Sequence, residues 1–229
     1  MHYANTNLKE KEVTSDMDEH YYPLYIEIIY RRQHIQIKSI IDKTFTENLQ
    51  NVNETDRKLM ALELERVNKI IRFDEKIMGN DHKLKGIGNR YTNYNGSVFT
   101  LVDDGLRIKL KKIVRQYWLE QSGIINFDLS LVPIGRLFAA TKSLWPRLGE
   151  HLNLEDFEME INLWEIYFEK YPRIDLGKYR YPAFIDWMSD KHLDRMTGLL
   201  VKKNNIRKNL IHEVFGKVDK TIRSSTIDQ

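Results

Sequence analysis

"GIGNRYTNYNGSVFTLVDDG", residues 86–105, is the stretch on which the reading of this chain turns. It holds four of the eleven glycines, with Asn89, Asn93 and Asn95 among them. Glycine and asparagine tolerate left-handed backbone and so mark turns. Asp104-Gly105, with "SVFTLV" before it and "LRIKLK" after it, is a hairpin signal. The stretch therefore predicts a protruding loop or short β-hairpin over about residues 80–110, inserted at 80–105 into a mainly α, bundle-like body. Tyr91, Tyr94 and Phe99 have little core to bury in within so polar a segment. They read as aromatic anchors for a neighbouring molecule.

The same residues fail as a nucleotide loop. Gly86-Ile87-Gly88 opens like a dinucleotide fingerprint, but Tyr91 stands where the third glycine belongs. No Gly-Lys-Ser/Thr follows, so a phosphate-binding loop of the other common kind is also missing.

On the N-terminal side lies the plainest helix, "NETDRKLMALELERVNKIIRFDEKIMG", residues 53–79. Asn53 or Thr55 caps it, Glu54 and Asp56 suit its positive first turn, and Gly79 ends it. Before it, residues 24–41 satisfy two templates. Leu24, Ile26, Ile28 and Tyr30 alternate, as do Ile35 and Ile37, which suits two short strands. Ile26, Tyr30, Ile37, Ile41 and Phe45 also fit one helical face, and no Gly, Asn or Asp interrupts the run where a tight hairpin wants one. The missing turn signal favours a long helix. Residues 1–20 show no periodicity and read as a flexible acidic arm.

On the C-terminal side, Leu106, Leu110, Ile113 and Tyr117 fit a helix capped by Asp103 or Asp104 and ending at Gly123. Further helices follow: one capped by Ser130 and stopped before Pro146, and one capped by Asn153 with Phe157, Ile161, Trp164 and Phe168 as its buried stripe. One or two more precede a frayed tail, 217–229. The expected organisation is one domain over 21–216 between mobile termini.

Composition limits function. Thirty-six Lys+Arg against thirty-three Asp+Glu leave only +3, a weak overall field for wrapping nucleic acid. The absence of cysteine removes disulfides, thiolate metal sites and cysteine nucleophiles. The polar N-terminus gives no signal peptide and no apolar run reaches membrane-spanning length, so an intracellular protein without a membrane partner is expected.

No chemistry-bearing pattern survives inspection. His212-Glu213 lacks a second histidine four residues on, and His192-x-x-Arg195 has no tyrosine after Tyr181 to serve as nucleophile. Glu155, Asp156, Glu158 and Glu160 fall in the first turn and polar face of one helix, where negative charge belongs. No Gly-x-Ser-x-Gly elbow or Ser-x-x-Lys pair occurs. The sequence assigns no catalytic, cofactor-binding or metal-binding residue. "LVPIGRLFAATKSLWPRLGEHL" falls short of a helix-turn-helix, since Pro146 cuts the second helix.

Basic clusters remain. One is Arg107, Lys109, Lys111, Lys112 and Arg115, in the helix 106–118; a second, over 202–223, is Lys202, Lys203, Arg207, Lys208, Lys217, Lys220 and Arg223. A third joins Arg31-Arg32 to His34 and Lys38. Such groups bind phosphate backbone, or meet acidic surfaces such as the 155–169 helix of another protomer. Two functions are expected accordingly. The first is a non-enzymatic structural protein: a protomer of a homo-oligomer within a larger assembly of protein subunits, held by the arm and by Lys217, Lys220 and Arg223. A helical body with a protruding arm is a shape that ring-forming connectors in the head–tail region of virions adopt, which would place it in a virion. The second is a DNA- or RNA-binding accessory or regulatory protein using helices 106–118 and 202–223.

Overall fold

Alternation, not a helical period, governs residues 20–46. The structure, a computed structural model, describes residues 2–4, 13–14, 20–41, 43–46, 49, 51–79, 84–118, 133–144, 154–170, 181–189, 197–198, 200–201 and 206–226. The expected long helix over 24–41 is replaced by strands. These are β3 (His20–Pro23), β4 (Tyr25–Tyr30), β5 (Gln33–Lys38) and β6 (Thr44–Thr46). Isoleucine supplies Ile26, Ile28, Ile29, Ile35 and Ile37, and β-branched side chains pack well on a pleated surface while crowding a helix. The turn needs no glycine because Arg31 and Arg32 both take positive φ, 47° and 64°. That is the arrangement of a two-residue hairpin turn whose backbone twist matches its strands.

Two described segments of the acidic stretch form strands. β1 (His2–Ala4) pairs antiparallel with β4, and β2 (Val13–Thr14) with β3. Two three-stranded sheets result, ordered β1-β4-β5 and β2-β3-β6. Tyr25 stands opposite Lys38 in one and Pro23 opposite Thr44 in the other, so Ser39, Ile40 and Ile41 bulge out of both registers beside Leu24. Ser39 N–H still reaches the Leu24 carbonyl, at 2.9 Å.

The chain is mainly α. Helix α1 (Glu54–Met78) starts and stops as its sequence requires: Asn53 accepts from Asp56 N–H in a capping box, and Gly79 closes the end at φ 58°. The segment expected to protrude is helical instead. It forms α2 (Ile87–Tyr94), α3 (Val98–Trp118) and a short link between them; residues 80–83 lie outside the described set. Ile87, Tyr91 and Tyr94 share one buried face, and Val98, Val102, Leu106 and Leu110 another. Burial of these faces, roughly 1.5–3 kcal/mol per large side chain, outweighs the weak helix propensity of Gly88, Asn93 and Gly105. Asp104-Gly105 sits exposed in mid-helix, and neither Asp103 nor Asp104 caps α3.

The remaining helices are α4 (Ile134–Leu144), α5 (Leu154–Lys170), α6 (Phe184–Ser189) and α7 (Lys208–Thr226). The tail read as frayed belongs to α7 as far as Thr226, because Ile222 and Thr226 are buried. Ser130, Gly123 and Asn153, expected at helix ends, are outside the described residues.

The chain divides into two compact units, drawn from Met1–Gly96 with Ile174–Ser189, and from Ser97–Arg173 with Asp190–Asp228. In the first, the inner face of β4–β5 (Ile26, Ile28, Ile37) packs with Val67, Ile70 and Ile71 of α1, Ile87 and Tyr91 of α2, and Ile185 of α6. Leu24, Ile41, Phe45 and Met60 form a second cluster. Among its described residues the second unit is built of helices α3, α4, α5 and α7. Trp164 stacks on Phe168 at 5.6 Å and tilts against Phe215 at 5.3 Å, and the expected stripe Phe157, Ile161, Trp164, Phe168 is buried.

Candidate nucleic-acid interface

The β4–β5 hairpin has two chemically opposite faces. Inward go Ile26 against Ile37 and Ile28 against Ile35. Outward go Tyr25 beside Lys38, Glu27 beside Gln36 and Ile29 beside His34. Ile29 is 62% exposed, unusual for a large aliphatic residue, and Arg32, His34 and Lys38 are exposed around it. His34 Nε2 contacts Glu27 Oε1 across the strands. Arg32 and Lys38 make no ion pair among the described residues.

Arg31 is oriented. Its guanidinium carbon lies 5.1 Å from the Tyr30 ring centroid, and its Nη2 donates to Glu75 at 3.1 Å. The Tyr30 hydroxyl donates to the same Glu75 carboxylate, so the tip of the hairpin is tied to the last turns of α1.

A row of charged groups on the buried side of α1 continues that bracing. Glu63, 0% exposed, accepts from Ser39 Oγ at 2.6 Å, from Ile40 N–H at 2.7 Å and from the Tyr91 hydroxyl. One carboxylate thereby satisfies the bulge after β5 and joins it to α2. Asp74 accepts from Arg90 Nε at 2.6 Å and from the Tyr94 hydroxyl at 3.3 Å. Burial, reinforced by the Asp74 charge, pushes the Tyr94 phenol up to about 12. Asp186 of α6 takes Lys69 at 2.8 Å and Arg66 at 3.3 Å. Buried carboxylates so saturated with donors position elements; each partner removed would leave a stranded charge or dipole.

The aromatic anchors turn out otherwise than expected. Tyr91 and Tyr94 are 2% and 3% exposed and sit in the first unit's core, each hydroxyl on a buried carboxylate. Their i, i+3 spacing on one helical face was the signal for burial. Phe99 packs edge-on against Phe168 at 5.1 Å inside the second unit.

Half of the described cations in the helical clusters are engaged within the chain. Arg107 pairs with Asp103, and Lys109 donates to Glu160 at 2.6 Å. Arg207 pairs with Asp156. The acidic helix expected to meet another protomer's cations thus meets two from its own chain. Lys217 pairs with Glu213 at 2.6 Å and Arg223 with Asp219 at 2.7 Å, both i, i+4. That contact lowers the Glu213 carboxyl and raises the Lys217 ammonium. Lys111, Lys112, Arg115 and Lys220 are exposed. Lys202 and Lys203 lie outside the described residues.

Sequence reasoning named Arg31, Arg32, His34 and Lys38 as a cluster but placed them on a helix, where they would have scattered around the axis. Gln36 and Ile29 were missed; alternation, followed through, puts both on the outward face. Among the described residues no group of three or more His, Asp or Glu is placed to hold a metal ion, and no helix is long and apolar enough to cross a membrane. No family model, no curated protein and no solved structure matches the chain.

Proposed function

We propose that this chain is a non-enzymatic DNA-binding accessory protein whose β4–β5 hairpin makes the contact. The observation that supports it is the outward face of the hairpin: Arg31, Arg32, His34, Gln36 and Lys38 together, braced from behind by α1. Among the described residues β1 pairs with β4 only at Tyr25–Glu27, so the outer part of the hairpin is a two-stranded ribbon. With strands about 4.8 Å apart, such a ribbon and its side chains match a B-form major groove about 12 Å wide. The deep, narrow major groove of an RNA duplex refuses it. Arginine and lysine neutralise phosphates, and Gln36 is of the type that pairs with adenine edges. The second unit is read as a helical body in which Arg107, Lys109, Arg207, Lys217 and Arg223 are already paired with carboxylates.

The alternative role, a protomer of a larger protein assembly such as a virion connector, was built on an aromatic arm. Its tyrosines are in the core, so nothing specific now favours it over the hairpin reading.

The test is fluorescence anisotropy of a labelled mixed-sequence DNA duplex against the full chain at rising salt. Binding that weakens steeply with salt and exceeds binding to an RNA duplex of equal length is expected. No detectable binding at low salt rejects the proposal.

A further inference from the structure

Two arginines occupy the central positions of the β4–β5 turn, at φ 47° and 64°. Side chains other than those of glycine, asparagine and aspartate are strained there, and two-residue turns of this kind strongly prefer Asn-Gly. A turn selected for stability alone would not carry this pair. The arginines offset only part of the cost locally, since an exposed ion pair such as Arg31–Glu75 contributes at most about 1 kcal/mol. Arg31 is held on Glu75 while still more than half exposed, and Arg32 has no ion pair among the described residues. Strain retained at an exposed tip marks a site where the side chains are used.

Resting on the DNA-binding reading, we infer that Arg31 and Arg32 are its anchoring residues, kept in an unfavourable turn because their guanidinium forks meet the polyanion. Each has its own part. Arg31 is preset by Glu75 and the Tyr30 ring, so little side-chain freedom remains to be lost on binding. Arg32, beyond it, is the leading group. The hairpin thus gives up folding stability for affinity.

The experiment replaces the pair by the turn's preferred residues, Arg31→Asn with Arg32→Gly, in the full chain. Thermal unfolding and anisotropy with the labelled DNA duplex are both measured. The unfolding midpoint is expected to rise by about 3–6 °C, while affinity near 0.1 M salt falls by at least about 30-fold for two lost phosphate contacts. Arg31→Lys with Arg32→Lys keeps charge and strain but removes the forks; it should leave the midpoint unchanged and weaken binding by about 10-fold. Removing two charges elsewhere, Lys111→Gln with Lys112→Gln, should change affinity by less than about 3-fold.

A midpoint that stays level or drops in the Asn-Gly variant overturns the strain premise. A raised midpoint with affinity within about 2-fold of the parent overturns the anchoring role while DNA binding itself stands. A parent chain that binds no duplex removes the functional reading and this inference with it.

Discussion

Ser39 donates its hydroxyl to Glu63 at 2.6 Å, tying the bulge after β5 to the middle of α1. The Ile40 N–H and the Tyr91 hydroxyl converge on the same carboxylate. Removing it strands three buried donors at once, each costing about 1–3 kcal/mol before relaxation and water entry. Glu63→Ala should therefore destabilise the first unit by about 3–5 kcal/mol, and Glu63→Gln, which keeps a carbonyl acceptor, by about half of that. Urea unfolding followed by far-UV circular dichroism checks both. Equal losses for the two variants would show that packing and not acceptor capacity matters at this site.

Gly96 offers a steric test of the link between α2 and the segment leading into α6. Its carbonyl accepts from Phe184 N–H at 2.8 Å, and a Cβ added there would lie 2.3 Å from the Phe184 ring. The backbone hydrogen bond holds the two segments at that spacing, so the ring must leave its rotamer to make room. Gly96→Ala is expected to cost about 1–3 kcal/mol, as overpacking does, and Phe184→Leu in the same chain should restore part of it. Calorimetric midpoints of the two single variants and the double variant decide this. Simple additivity would mean that the two residues do not press on each other.

These examples show what the sequence could and could not announce. α1 was legible at both ends, with Asn53 one of two cap candidates and Gly79 the stop, because its signals are local: Asn53, Asp56 and Gly79 act within one turn of themselves. The stripe of α5 was legible for the same reason. The hairpin was not, since its turn is made by two arginines that carry no turn signal, and the alternation around them is nearly matched by a helical spacing. α2 was misread because propensity argued for a loop, while the deciding fact, burial of Tyr91 and Tyr94 against α1 carboxylates, is a contact between residues twenty or more positions apart in sequence. The interface followed the same logic. Its cations were visible, but the face they share depends on a register that only pairing fixes.

Tyr94 makes a pH prediction. Its phenol is raised from 10.0 to about 12 by burial, with the Asp74 charge adding to it. In the unfolded chain the phenol ionises near its ordinary value, while in the fold it holds its proton. The unfolded state therefore binds fewer protons as pH climbs from about 10 to about 12, and stability falls through that window. Tyr94→Phe removes this component. The stability difference between parent and variant should be constant up to about pH 9 and should shrink or reverse between about pH 10 and 12. Other groups titrate there too, so the difference is the quantity to measure, by urea unfolding across pH. A parallel decline in both proteins would mean that Tyr94 ionises as freely in the fold as out of it.

Salt dependence separates the hairpin from the helices as the DNA contact. Log affinity should fall with log salt at a slope of about −0.9 per phosphate neutralised. Three permanent cations face outward at the hairpin: Arg31, Arg32 and Lys38. The full chain should show a slope of about −2.7, which is an affinity loss of about 40-fold between 50 and 200 mM salt. Arg32→Glu with Lys38→Glu should flatten that slope to about −1 and lower affinity by more than about 100-fold at the low-salt end. Lys111→Glu with Lys112→Glu reverses as much charge on the exposed side of α3, yet should shift affinity by less than about 5-fold and leave the slope near its parent value. Both pairs lie on solvent-exposed positions, so circular dichroism should find each variant folded. If the ranking is inverted, with the α3 pair flattening the slope and the hairpin pair sparing it, the contact belongs to the second unit, and the braced hairpin serves some other surface.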